Sequence, residues 1–270
     1  MKYGKTLIWL LLLLLVGVFG YSGWVLADYY GQSARQKQAH EQLQELVRQP
    51  VRLSTEVAEP LPTHVAVTDP ETGKERQVLR EYAELYTRNP DLVGWISIEG
   101  TDIDYPVVQS DVKDYYLRRD FDRKRANHGS IYAWELADVT APSDNVTLFG
   151  HRMNDGTMFY DLLSYAGEDF YRAHPTFRFS TLDGHWDYEI FAAFRTSGTG
   201  GEGLEYHTFV EADSPESFDD FVAQCRDISF YDTGIVPQYG DKLVTLSTCD
   251  YALENGRMVV MGVRGADGPQ

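Results

Sequence analysis

Cysteine is scarce in this chain: 270 residues contain two, Cys225 and Cys249. Two thiols do not make the framework of bridges that staples a small secreted domain, and neither has a His or Cys neighbour at metal-ligand spacing. Basic residues are also outnumbered, 24 Lys and Arg against 41 Asp and Glu, for a formal net charge of −17. That balance excludes a function that grips phosphate backbones, which takes clustered cations, so no nucleic-acid partner is expected. Internal repeats are missing, as is low-complexity sequence beyond the first 30 residues. Long apolar runs are missing too, with one exception.

The exception is residues 6–27, uncharged for 22 positions with a solid leucine block over 10–15. About 20 apolar residues span a bilayer as a helix. Val25-Leu26-Ala27 resembles a signal-peptide cleavage site, but the run exceeds the roughly 7–15 residues of a cleavable apolar core, which favours a retained anchor. Lys2 and Lys5 before the span, and Asp28 after it, orient the N-terminus to the cytoplasm and the rest outside. The expected division is a cytoplasmic tail over 1–5, a transmembrane anchor over 6–27, a stalk over 28–74, a folded domain over 75–266 and a short tail over 267–270. The stalk reads as a polar helical stretch ended by Pro50, followed by a segment with Pro at 60, 62 and 70 and no helical period.

Within the domain, "RQVLREYAELYTRNPD" places Val78, Leu79, Tyr82, Leu85 and Tyr86 on one helical face, with Asn89-Pro90 as a stop. Short strand-like pieces follow: "GWISIE", "TDIDYPVVQ", "GSIYAWE", "NVTLFGHR", "TFRFST", "DYEIFAAFRTS", "DKLVTLSTC" and "RMVVMGVRG". Their Gly, Asp and Pro separators predict a mostly β fold, a sandwich or barrel, with interspersed helices. The helices are expected at "VKDYYLRRDF", "TMFYDLLSYAGEDFYRAH" and "SPESFDDFVAQCRDI". In the last, Ser214 caps, Pro215 suits the first turn, and Phe218, Phe221, Val222, Cys225 and Ile228 share a face, so Cys225 reads as a buried small hydrophobe.

Cys249 reads differently. Along "LVTLSTC" the side chains alternate, so Thr245, Ser247 and Cys249 share one face and Val244 and Leu246 the other. The seven residues "DYALENG" are short enough for a hairpin, which brings Arg257 onto the partner strand beside the thiol, strands lying about 5 Å apart. A guanidinium there can favour a thiolate or hold the oxyanion formed when sulfur attacks a carbonyl; it can equally be a structural Arg on a solvated hairpin. Of seven histidines, His40 and His64 fall in the stalk, and His128, His174, His185 and His207 occupy polar, turn-like contexts that suit solvated imidazoles. His151 ends the apolar run "NVTLFGH" just before the turn signal "RMNDG", mirroring the position of Cys249. A cysteine nucleophile needs such an acid/base partner.

"TLSTC" at 245–249 matches the TLxTC signature of sortases. The chain over about 80–264, through "RNPDLVGWISIEGTDIDYPVVQ", "NVTLFGHRMNDGTMFYDLL" and "TLSTCDYALENGRMVVMGVRG", resembles class B sortases. The resemblance implies a closed β-barrel with peripheral helices and a cysteine transpeptidase of the Gram-positive cell surface. Cys249 would be nucleophile, His151 acid/base, and Arg257 the stabiliser of substrate and oxyanion. Ser247, Thr248, Leu117 and Lys113 match positions of the substrate groove. Two departures bear on substrate choice: Lys113 stands where Asn is frequent, and Ala133-Trp134 where a Met-Asp pair is. The implied partners are surface proteins or pilins bearing a C-terminal sorting motif, with an amine of a peptidoglycan precursor or a pilin lysine as acceptor. No metal or cofactor is implied. A pilin-polymerising enzyme, a membrane-anchored cysteine protease and a non-catalytic tethered binding module remain alternatives on sequence.

Overall fold

The computed structural model describes residues 2–48, 62–198, 203–252 and 255–264. Residues 1–41 and 42–270 form two units. The first is most of helix α1 (Lys2–Arg48). Leu10, Leu13, Val16 and Phe19 are all exposed on it, and an 18-residue window reaches a mean hydropathy of 2.2 with none of it buried. By length and composition this helix is able to cross a membrane.

In the second unit the chain first makes a hairpin. Strand β1 (His64–Thr68) pairs with β2 (Glu75–Leu79), His64 opposite Leu79. The sequence reading put 64–68 in the stalk and began a helix at 76. The intervening "DPETGK" explains the difference: the Asp69 carboxylate accepts the amides of Glu71 and Thr72, and Gly73 takes a left-handed φ of +70°, which closes a turn. Val78 and Leu79 are still buried, but as strand residues; the helix is the short α2 (Ala83–Arg88).

All eight expected barrel strands form: β3 (Leu92–Ser97), β4 (Asp104–Val108), β5 (Ile131–Ala133), β6 (Asn145–Phe149), β7 (Thr176–Thr181), β8 (Asp187–Ser197), β9 (Leu243–Cys249) and β10 (Gly256–Arg264). They close in the order β10-β8-β7-β3-β4-β5-β6-β9. Two expected helices shrink to short 3-10 pieces, Tyr115–Arg118 and Tyr160–Ala166, the second followed by α3 (Glu168–Ala173). The remaining helix, α4 (Pro215–Asp227), matches its expectation except at Ile228, which falls just past its end and is exposed. Ser214 accepts the amide of Ser217, Ser217 reciprocates, and Phe218, Phe221, Val222 and Cys225 are buried.

Alternation along the strands sorts the core. Val244, Leu246, Met258 and Val260 point into the barrel with Val146, Leu148 and Phe159. Leu243, Val259 and Met261 point outward, where they pack with the apolar face of α4. The outer face of β9 is therefore covered at its start by a helix and is free of that helix toward its end.

Candidate active site

β9 lies between β6, parallel to it, and β10, antiparallel. A parallel partner starts and stops at the same barrel edge, so the chain leaves β6 and β9 side by side: Phe149 stands opposite Ser247, and the Gly150 amide donates to the Ser247 carbonyl at 3.1 Å. His151 follows β6 by two residues, and Cys249 is the last residue of β9. β10 enters at that edge, and its second residue, Arg257, is the register partner of Cys249. Three chemically distinct residues thus lie at one rim, at or just past the ends of three adjacent strands.

Each is fixed locally. Cys249 is partly exposed, and Nη1 of Arg257 donates to its Sγ at 3.5 Å and to the Gly256 carbonyl at 3.2 Å. The Gly before His151 is steric in origin: a Cβ on Gly150 would lie 2.4 Å from Ile131 and 2.7 Å from Phe159. The His151 carbonyl accepts the amide of Phe159 at 2.9 Å, closing the loop behind it. Its Nε2 donates to the Leu117 carbonyl at 2.8 Å. A carbonyl can only accept, so in the neutral ring the proton sits on Nε2 and Nδ1 keeps its lone pair. Burial holds the His151 imidazole below its ordinary pKa; the Leu117 carbonyl opposes this, and Arg118 and His128 add to it. The neutral ring therefore offers Nδ1 as its hydrogen-bond acceptor.

A sequence profile of the sortase domain matches residues 96–264. The chain belongs to the sortase family. It is 32% identical over 257 residues to Sortase B of Listeria monocytogenes, covering 93% of this chain and 94% of that one. Sortase B of Staphylococcus aureus is 25% identical over 263 residues, covering 97% and 96%. Among solved structures, sortase B from Bacillus anthracis in complex with AAEK2 superposes with a TM-score of 0.70 at 28% identity, over 87% of this chain and 98% of that one. These likenesses make it a class B sortase, a cysteine transpeptidase of the kind that anchors surface proteins.

The other residues singled out in this sortase take varied places. Leu117 is 36% exposed, and its backbone carbonyl is what holds His151. Lys113 reaches over the Trp134 ring, Nζ 5.9 Å from the centroid. Ser247 is buried, its hydroxyl sharing a 2.6 Å hydrogen bond with that of Tyr206. Thr248 is buried, opposite Met258 in register, and its hydroxyl has no partner. Cys225 is a buried free thiol under α4, as its helical phase implied, and burial pushes its pKa up.

Two histidines escaped the sequence reading. His207 is half-buried, its ring centroid 5.1 Å from that of Trp134 and 5.5 Å from that of Tyr206. Burial lowers its pKa; Glu205 works against this, and Lys113 and Arg257 with it. With Phe149 this aromatic wall adjoins the outer end of β9. His128 is 3% exposed, hydrogen-bonded through Nε2 to Asp155 at 3.1 Å, and lies within electrostatic reach of His151. Its "NHG" context is indeed a turn; what buries it is the 151–158 loop, which no local pattern announces. A surface hollow lined by Leu204, Glu205, Thr208, Phe209 and Gln224 lies between the 203–213 segment and α4, and none of the three rim residues lines it.

Proposed function

We propose that Cys249, His151 and Arg257 carry out a two-step acyl transfer on a C-terminal sorting motif. Sulfur attacks the carbonyl carbon of the motif's threonine, and the Cys249 proton passes to Nδ1 of His151. Arg257 holds the oxyanion of the tetrahedral intermediate. Collapse breaks the threonine's peptide bond, His151 returns the proton to the departing amine, and a thioacyl enzyme remains. An acceptor amine then attacks the thioacyl carbon, gives its proton to His151, and Cys249 leaves as thiolate. One peptide bond is exchanged for one amide bond, so the exchange needs no external energy source. The observation that carries this reading is the rim itself: a cysteine in direct register with an arginine, beside the exit of a parallel strand that leads, two residues on, to a histidine.

Lys113, Leu117, Ser247 and Thr248 are proposed as groove residues, with Lys113 and Trp134 biasing motif choice because they form one cation-over-ring contact near the site. Helix α1 is proposed as a membrane anchor with its N-terminus in the cytoplasm and the catalytic domain outside, on the strength of its apolar length and the lysines before it. The proposed substrates are surface proteins, and the acceptor is an amine of the cell wall.

The test is a panel of fluorogenic pentapeptides ending in Thr-Gly or Thr-Asn, offered with and without glycine oligomers, diamino acids and lysine peptides, with products read by mass spectrometry. Amine-dependent ligation that disappears in Cys249→Ala supports transfer. Cleavage with no ligation to any amine would instead make the enzyme a hydrolase.

A further inference from the structure

Arg152 follows His151 and differs from many of the chain's arginines. In this acidic protein Arg48, Arg76, Arg88, Arg123, Arg178 and Arg195 all have carboxylate partners. Among the described residues Arg152 has no ion-pair or hydrogen-bond partner, and its Nε is buried with none. The guanidinium instead lies over two tyrosine rings, 5.0 Å from the centroid of Tyr251 and 5.8 Å from that of Tyr160. Tyr251 is two residues past the nucleophile and 71% exposed. The nearby carboxylate is taken: Asp250 accepts from Arg195 and from the amide of Ala252. A cation on aromatic faces, which acts on Asp250 through space but hydrogen-bonds to no carboxylate among the described residues, thus joins the segment after His151 to the segment after Cys249.

Stacking on rings satisfies the faces of a guanidinium and leaves its in-plane donors, which match the two oxygens of a carboxylate. Arg152 directly follows His151, past the end of β6. The aromatic wall of Trp134, Phe149 and His207 lies on the outer side, where Cys249 projects.

Resting on the transfer reading above, we infer that Arg152, flanked by Tyr160 and Tyr251, is an acceptor-recognition site that binds a free carboxylate on the incoming amine. The ligand class is an amino acid or peptide amine with a carboxylate a few bonds from the attacking nitrogen. Bound there, the carboxylate holds the amine at the thioacyl carbon. Nitrogen bonds to that carbon, the C–S bond breaks, and the amine proton goes to His151.

The test uses the full-length protein in detergent and a peptide that acylates Cys249. Acceptors are offered as matched pairs at equal free-amine concentration: Nα-acetyl-lysine against its carboxamide for a distant carboxylate, and glycine against glycinamide for an adjacent one. The ratio of ligated to hydrolysed product is read per thioacyl enzyme, so changes in acylation cancel. Wild type should favour the carboxylate member of one pair about tenfold, the worth of a charge-assisted hydrogen bond at a wet site. Arg152→Gln should erase that preference, and Arg152→Lys should keep part of it. Equal use of both members by wild type, or a preference that survives Arg152→Gln, overturns the carboxylate site and leaves transfer standing. A thioacyl enzyme that wild type passes to no amine at all overturns transfer, and this site with it.

Discussion

Arg257 has Cys249 as register partner and donates to sulfur through one nitrogen. A planar fork fixed in this way can follow the charge from sulfur to the developing oxyanion, which a single ammonium on a flexible stem does not reproduce. Arg257→Lys should therefore lose about 100-fold or more in kcat/KM, the scale of removing one oxyanion donor. Turnover within a few-fold of wild type in a steady-state assay would show that charge alone suffices. His151 supplies a second test at this scale. Its imidazole is held below the ordinary value first by burial, with Arg118 among the cations that add to it. With the neutral ring as the proposed base, the acid limb of the kcat/KM profile should lie below that of an ordinary histidine. Arg118→Gln removes one of the depressing charges and should move that limb to higher pH; an unmoved limb would exclude His151 as the group that titrates.

At the level of elements, the site depends on a carbonyl, that of Leu117, which locks the His151 ring. The 3-10 turn carrying it abuts Gly129, whose φ is +59° and where a Cβ would come within 2.5 Å of that oxygen and 2.8 Å of the Tyr116 carbonyl. Gly129→Ala should cost about 1–2 kcal/mol from the left-handed backbone alone and lower kcat by displacing the acceptor of His151. A denaturant melt and a rate measurement check both, and a variant with wild-type stability and kcat would mean that the turn yields freely. These elements also divide what the sequence discloses from what it conceals. The β9–β10 hairpin was legible because alternation and a seven-residue loop are local, and α4 because its cap and apolar face are local. The helix expected from 76 failed because Val78 and Leu79 suit a strand equally, and the Asp69 turn decided the matter. The two 3-10 pieces were overestimated because one or two tight turns leave the same short apolar spacing as the start of a helix. Pairing of β6 with β9 joins segments about 100 residues apart, and the Leu117 carbonyl has no side-chain signature, so neither was readable. The family resemblance supplied the Cys-His-Arg grouping that spacing alone left open.

Across the whole molecule, the fold separates its two thiols. Cys225 is fully buried between α4 and the barrel wall, with its pKa pushed up by burial, while Cys249 opens at the rim. Iodoacetamide should modify one equivalent of thiol in the native protein, at Cys249, and the second only after unfolding; native labelling of Cys225 would contradict the barrel–helix packing. The central claim is that this rim makes a thioacyl enzyme. The most direct measurement is the intact mass of the full-length protein, quenched in acid within seconds of mixing with a sorting-motif peptide, followed by mapping of the adduct. The account predicts an added acyl mass ending in threonine, on Cys249, absent in Cys249→Ala and cleared by hydroxylamine. Peptide cleavage that leaves no adduct on Cys249, or that persists in Cys249→Ala, would contradict it.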